Sequence, residues 1–212
     1  MPLKSDAISF ENSRLPSGFK SRGMVSTRTS LKSPDGQMVS AIAGRRFVCL
    51  DDPEAVDARR MRLDPHASEN LAGMIVRPRS GIPTVGADGA SLVCEDVALE
   101  KGQRLVFAWN FMSWGDLPWN DFATFEAQTN NPGAYGVPRT VLSDLADLAM
   151  ANRRSTDWRL ATWELTDDFS GTLIWTVANG QEITDWTLLD PAVEAYSNPP
   201  AMLIDDIRVF GG

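Results

Sequence analysis

The sequence predicts an all-β fold, a sandwich or a barrel, in a single domain. Three observations carry the prediction. First, about ten short segments rich in branched and aromatic residues recur along the chain, separated by Gly, Pro, Asn and Asp clusters at the spacing of antiparallel strands. Second, the clearest of them, 105–111, sets Leu105, Phe107, Trp109 and Phe111 against Val106, Ala108 and Asn110. A period of two is what a strand with one face in a core requires. Third, hydrophobic residues make up 43% of the 212 residues, enough to bury a core and to argue against global disorder.

Taken in order, 7–11 reads as a first strand and 12–21 as a Ser, Pro, Gly and Asn turn region. Segment 23–31 is a second strand, and Ser33-Pro34-Asp35-Gly36 is a turn, since Pro presets φ and Gly accepts positive φ. Residues 38–50 return as strand, interrupted at Gly44-Arg45-Arg46. Residues 51–88 carry Pro65, Pro78, Gly81, Pro83 and Gly86, with Gly89 just beyond, and read as a long excursion. Within it, 53–62 forms one short helix with Asp52 as its cap and Pro53 at the first position, and 72–77 a strand. Residues 91–99 are a strand and 100–103 a hairpin turn into 105–111. Gly115 to Pro118 then breaks the chain, and a further strand begins at Phe122. Residues 128–138 form a loop. Leu142, Leu145, Leu148 and Ala149 have helical spacing, which predicts a short helix within 141–152. Segments 158–165 and 172–178 are strands, 183–188 has no clear pattern, 198–200 is a turn, and 202–210 is the closing strand. At most one or two short helices interrupt the sheets.

Composition excludes several functions. A formal charge of −8 without a long basic run disfavours sequence-independent binding to nucleic acid or to an anionic membrane. No stretch approaches the ~18 apolar residues of a membrane-spanning helix. The first seven residues lack an apolar signal core, which leaves retention inside the cell, leaderless export or a leader already removed. Cys49 and Cys94 with the lone His66 cannot complete a zinc site, and the two cysteines fit separate buried thiols better than a disulfide. Asp51-Asp52 and Asp167-Asp168 are adjacent and sit in turns. Solvated roles suit them better than glycosidase chemistry, which needs two carboxyls at a defined separation. A triad through His66 lacks a nucleophile elbow, so a hydrolase is the weakest of the functional readings.

Several patterns in this order resemble the galactose-binding-like jelly-roll modules of bacterial extracellular proteins, which include carbohydrate-binding modules. They are Ser9-Phe10-Glu11 followed by Leu15-Pro-Ser-Gly18-Phe19, with Phe19 where Trp is usual; Ser33-Pro-Asp-Gly36; the run from Val97 through Gly102 to Phe111 with Asn120-Asp121-Phe122-Ala123; and Leu203-Ile204-Asp205-Asp206-Ile207. Segments 51–88 and 142–154 match poorly. The resemblance implies a jelly-roll β-sandwich, a structural calcium, glycan binding in many members, and a secreted or cell-surface location.

The candidate sites follow. Leu203, Asp205, Ile207 and Val209 share a face by alternation, and that face looks like the core. A carboxylate there needs compensation. A calcium ion held by Asp205 and Glu11, the pair the resemblance also implies, would supply it, as would hydrogen bonds from backbone and hydroxyl donors. Asp35 is a weaker third ligand. For a sugar, flat aromatics stack on C–H faces while Asp, Asn, Gln or Arg meet the hydroxyls. Trp114 and Trp119 flank a polar turn with Asp116, Asn120 and Asp121, and Trp186 follows Asp185 in another loop-like stretch. Trp109, Trp163 and Trp175 lie on strands and belong to the core. The leading reading is a non-catalytic, calcium-stabilised carbohydrate-binding module. The alternative is a structural or adhesive assembly module that binds protein partners or itself.

Overall fold

The computed structural model describes residues 8, 10–54, 69–71, 74–79, 81–130, 136–183 and 199–211. Two antiparallel sheets pack face to face. One has the order β1(Phe19–Arg22), β8(Thr84–Leu99), β13(Phe169–Glu182), β10(Phe122–Thr129), β11(Val137–Asp144), with β6(Glu69–Asn70) and β7(Ile75–Val76) also paired to β8. The other has the order β12(Arg159–Glu164), β9(Arg104–Ser113), β14(Pro200–Phe210), β5(Phe47–Leu50), β2(Val25–Arg28). A separate hairpin joins β3(Ser30–Lys32) to β4(Met38–Ser40), and one helix, α1(Leu145–Met150), follows β11. Between β8 and β14 the chain passes from sheet to sheet at almost every connection, which is the winding of a jelly roll.

Alternation in β9 decides the core. Leu105, Phe107, Trp109 and Phe111 are all buried and face the opposite sheet. There Phe107 meets Trp175 edge-on at 5.4 Å and Phe125 at 4.9 Å between ring centroids. The other face of the same sheet carries Phe47, Cys49, Met112 and Leu203, and the β3–β4 hairpin covers it through Leu31, with Val39 and Trp158 packed against the cluster. Cys49 and Cys94 are separate buried thiols.

The excursion is shorter than the sequence suggests. Residues 84–88 belong to β8, a strand of 16 residues, and β6 and β7 extend its sheet. Gly86 and Gly89 read as turn punctuation. In the fold they permit close approach, because a Cβ on Gly89 would lie 2.0 Å from the Val177 carbonyl oxygen, where only glycine fits. The helix expected over 53–62 falls mostly outside the described residues, as do Ala72 and Gly73 of the expected 72–77 strand. The first strand, expected at 7–11, is reduced in the described residues to a bridge between Ile8 and Ile207. The expected 12–21 turn region ends in β1, because Phe19 packs on Phe10 and Trp175. The expected 141–152 helix splits into the end of β11 and the six-residue α1. The Asp51-Asp52 pair is not solvated: both residues are buried. Asp52 accepts from Arg28 Nε at 2.5 Å, Arg28 Nη2 at 2.8 Å and Ser26 Oγ at 2.5 Å. Burial pushes the Asp52 carboxyl up, but the Arg28 and Ser26 hydrogen bonds outweigh it and hold it below the usual range.

Candidate functional site

At one end of the sandwich the turn between β3 and β4, the loop between β9 and β10, and α1 with the turn after it border an open-mouthed cavity of about 520 Å³. Each wall has a local cause. Gly36, at φ 82°, closes the first turn by donating its N–H to Ser33 O at 2.9 Å, while Ser33 N–H donates to Gln37 O at 2.8 Å. Asp35 is thereby held outward at the tip. In the second wall, Ser113 Oγ donates to Asp121 Oδ2 at 2.6 Å and accepts the Gly115 N–H at 3.0 Å. Trp119 N–H donates to Asp116 O at 3.1 Å. This folds residues 113–121 back and leaves Asp116 and Leu117 at the rim.

The third wall is built from the second. A helix leaves its first N–H groups without partners, and for α1 the loop supplies acceptors. Leu145 N–H donates to Asp121 O at 2.8 Å, Ala146 N–H to Asn120 Oδ1 at 2.9 Å, and Asp147 N–H to the capping Asp144 Oδ1 at 2.9 Å. After α1, Asn152 takes φ 52° and turns the chain so that Arg154 faces the loop. Its guanidinium donates to Gly115 O and, at 2.7 Å, to Asp116 Oδ1, and its backbone N–H donates to Asp35 Oδ2 at 3.3 Å. One arginine thus joins all three walls.

The residues proposed for sugar contact separate into three groups. Asp116 lines the cavity and is exposed. Trp114 and Trp119 are each half-buried on the same loop, Trp114 against the hairpin cluster, and neither lines the cavity. Asn120 and Asp121 are 0% and 2% exposed, so the expectation that they meet hydroxyls is corrected. Asn120 caps α1 and donates to Thr84 Oγ1 at 3.3 Å, and Asp121 anchors the loop. Trp186 lies outside the described residues. Burial pushes the Asp121 carboxyl up to about 8, against the hydrogen bonds from Ser113 and Gly180. Burial likewise raises Asp144, and raises Glu182 with help from the Asp144 charge.

The residues proposed for a metal also divide. Asp205 is fully buried and accepts from Ile42 N–H at 2.9 Å, Ala43 N–H at 3.0 Å and Asp206 N–H at 2.8 Å. Glu11 Oε1 accepts from Arg45 N–H at 2.8 Å. The two carboxylates therefore converge on one short stretch, 42–45. Burial raises the Asp205 carboxyl, and the Ala43, Asp206 and Ile42 amides oppose that rise. Asp35 does not join them: it belongs to the cavity, beside Arg154. Among the described residues no three His, Cys, Asp or Glu side chains gather as a metal would require. Asp168 caps a turn by accepting from Lys101 N–H at 2.8 Å.

Arg154, Asn152 and Leu117 were missed as lining residues. The sequence offered one pointer, since 142–154 is where it departs from the resembled pattern.

No protein-family model matches the chain, and no curated protein matches its sequence. The chain is similar to the CBM22-1–GH10 modules of endo-1,4-β-D-xylanase 10B from Clostridium thermocellum, complexed with xylohexaose, at 10% identity and a TM-score of 0.42, covering 99% of this chain and 28% of that one. It is also similar to the K3 cleaved adhesin domain of Lys-gingipain from Porphyromonas gingivalis, at 14% identity and a TM-score of 0.42, covering 97% and 98%. A third is TmCBM61 in complex with β-1,4-galactotriose, at 11% identity and a TM-score of 0.40, covering 96% and 94%. The chain spans little more than a quarter of the first of these.

Proposed function

We propose that this chain is a non-catalytic carbohydrate-binding module of a secreted or surface-attached bacterial protein, stabilised by calcium. The observation that carries the reading is the cavity. Its walls offer a carboxylate acceptor at Asp35, a paired carboxylate and guanidinium at Asp116 and Arg154, the Asn152 amide, and the apolar Leu117, which is 45% exposed. Donors and acceptors side by side suit hydroxyls, which both give and take hydrogen bonds, while an exposed apolar side chain suits a C–H face. The half-exposed Trp114 and Trp119 lie on the same loop and would extend that apolar contact. Binding at one such site is weak, because sugar hydroxyls exchange water for protein partners at little net gain.

Calcium would sit at the other site, with two carboxylates as its only side-chain ligands among the described residues. Glu11 and Asp205 would hold it through the oxygen lone pairs that their backbone hydrogen bonds leave free, and it would add to the compensation that the Ile42, Ala43 and Asp206 amides already give Asp205. What supports this is that both carboxylates reach one short stretch, 42–45. Hard cations take six to eight oxygens, so carbonyls and water would complete the shell.

Glycan binding by the 212-residue chain, lost in Arg154→Ala because that side chain joins the three walls, is the expected result. No sugar binding, together with concentration-dependent self-association, would replace this reading with an adhesive assembly module. Leu160, 66% exposed on the edge strand β12, would be the first contact to test, since edge strands are templates for pairing.

A further inference from the structure

We infer that Asp35 is the residue that recognises the ligand of the cavity, and that this ligand is an uncharged polyhydroxylated sugar rather than an acidic one. The inference rests on the glycan reading above and adds the ligand's charge class and its principal acceptor. The argument is an inventory of charge. Arg154 is already committed, with one terminal nitrogen on Gly115 O and the other on Asp116 Oδ1 at 2.7 Å. Its planar fork is therefore not available for the paired hydrogen bonds by which arginine recognises carboxylates, sulfates and phosphates. Arg153, which also lines the cavity, pairs with Asp157 at 3.3 Å on the surface, and the exposed Lys32 runs past Gly36 in the Asp35 turn. Asp35 differs from all of these. It is exposed at the tip of its turn, and its one hydrogen bond among the described residues is the 3.3 Å contact from the Arg154 backbone.

A carboxylate has about four lone-pair positions, so Asp35 keeps most of its accepting capacity facing the cavity. Two neighbouring sugar hydroxyls can donate to its two oxygens. An acidic sugar would meet the Asp35 and Asp116 carboxylates as like charge, on a chain of net charge −8, which repels anions at longer range as well. Charge-assisted hydrogen bonds are about twice as strong as neutral ones, so Asp35 is the side chain whose loss should be felt most.

The test uses a printed array of neutral, uronate-containing, sialylated and sulfated oligosaccharides, followed by titration of the strongest hit. The expected result is binding confined to neutral sugars and weakened about tenfold or more in Asp35→Asn and in Asp35→Ser. Both replacements are tolerated in turns, so the melting temperature should hold. Asp167→Asn, at the opposite end of the sandwich, should bind as the unmodified chain does. Preferential binding of acidic sugars would overturn the inference and leave the glycan reading standing. So would neutral-sugar binding that is unchanged in both Asp35 variants. An array without any hit would overturn both.

Discussion

Asp121→Asn should flatten the pH dependence of stability. In the folded chain Asp121 is 2% exposed, and burial, with the Asp51 and Asp88 charges adding to it, moves its carboxyl from 3.8 to about 8. Below pH 3.8 both the folded and unfolded chains hold the proton. From there to about pH 8 the unfolded chain releases it and the folded chain keeps it. Stability is therefore lost as pH rises through this window, and nothing more is lost above it. The slope is about 1.4 kcal/mol per pH unit, which over the window amounts to at most about 6 kcal/mol. That is comparable with the whole stability of an ordinary domain, about 5–15 kcal/mol. Asparagine keeps an acceptor for Ser113 Oγ and weakens only the longer contact from Gly180 N–H, at 3.4 Å. Urea midpoints at pH 5, 6, 7 and 8 measure both chains. The raised carboxyls of Asp144, Glu182 and Asp205 contribute to both curves and cancel in the difference. The unmodified chain should lose stability across the series and the variant should lose less, by about 1 kcal/mol per pH unit. Parallel curves would refute the argument, because they would mean that Asp121 ionises without cost where it sits.

Two further outcomes are expected. Trp109→Ala should cost roughly 3–5 kcal/mol through lost burial and a cavity, read as a lower denaturant midpoint; an unchanged midpoint would be incompatible with its place between the sheets. Calcium should raise the melting temperature relative to chelator, by the equivalent of about 2.7 kcal/mol at a hundredfold excess over its dissociation constant, and Glu11→Gln should reduce the gain. Coincident melting curves would remove calcium from Glu11 and Asp205.

The core was legible because its signal is local. Leu105, Phe107, Trp109 and Phe111 alternate within one strand, and that strand's burial follows from the pattern alone. The beginning of β8 was not legible, because glycine in a strand interior and glycine in a turn look the same in one dimension. What separates them at Gly89 is Val177, which arrives from a strand far along the chain. The cavity was half legible. Asn120 and Asp121 beside two tryptophans read as exposed polar residues, and nothing near them announces that Leu145 and Ala146 need hydrogen-bond acceptors. Asp35 and Arg154 are 119 residues apart, and neither carries a motif. Their meeting is a product of the winding of the sandwich.

The way α1 begins has a consequence for anyone wishing to re-engineer this end of the molecule. Two of its first three amides rest on Asn120 and Asp121, residues of another loop, and only the third is served by its own cap. The helix therefore has no start of its own. A loop transplanted between β9 and β10 that lacks a side-chain acceptor at 120, or that moves the backbone carbonyl of 121, would cast the helix adrift as well, and with it the turn that delivers Arg154. Libraries that diversify 114–119 while holding 120 and 121 fixed would vary one wall of the cavity and keep the other in place; libraries that cross that boundary would mostly sample molecules whose cavity has lost its floor plan.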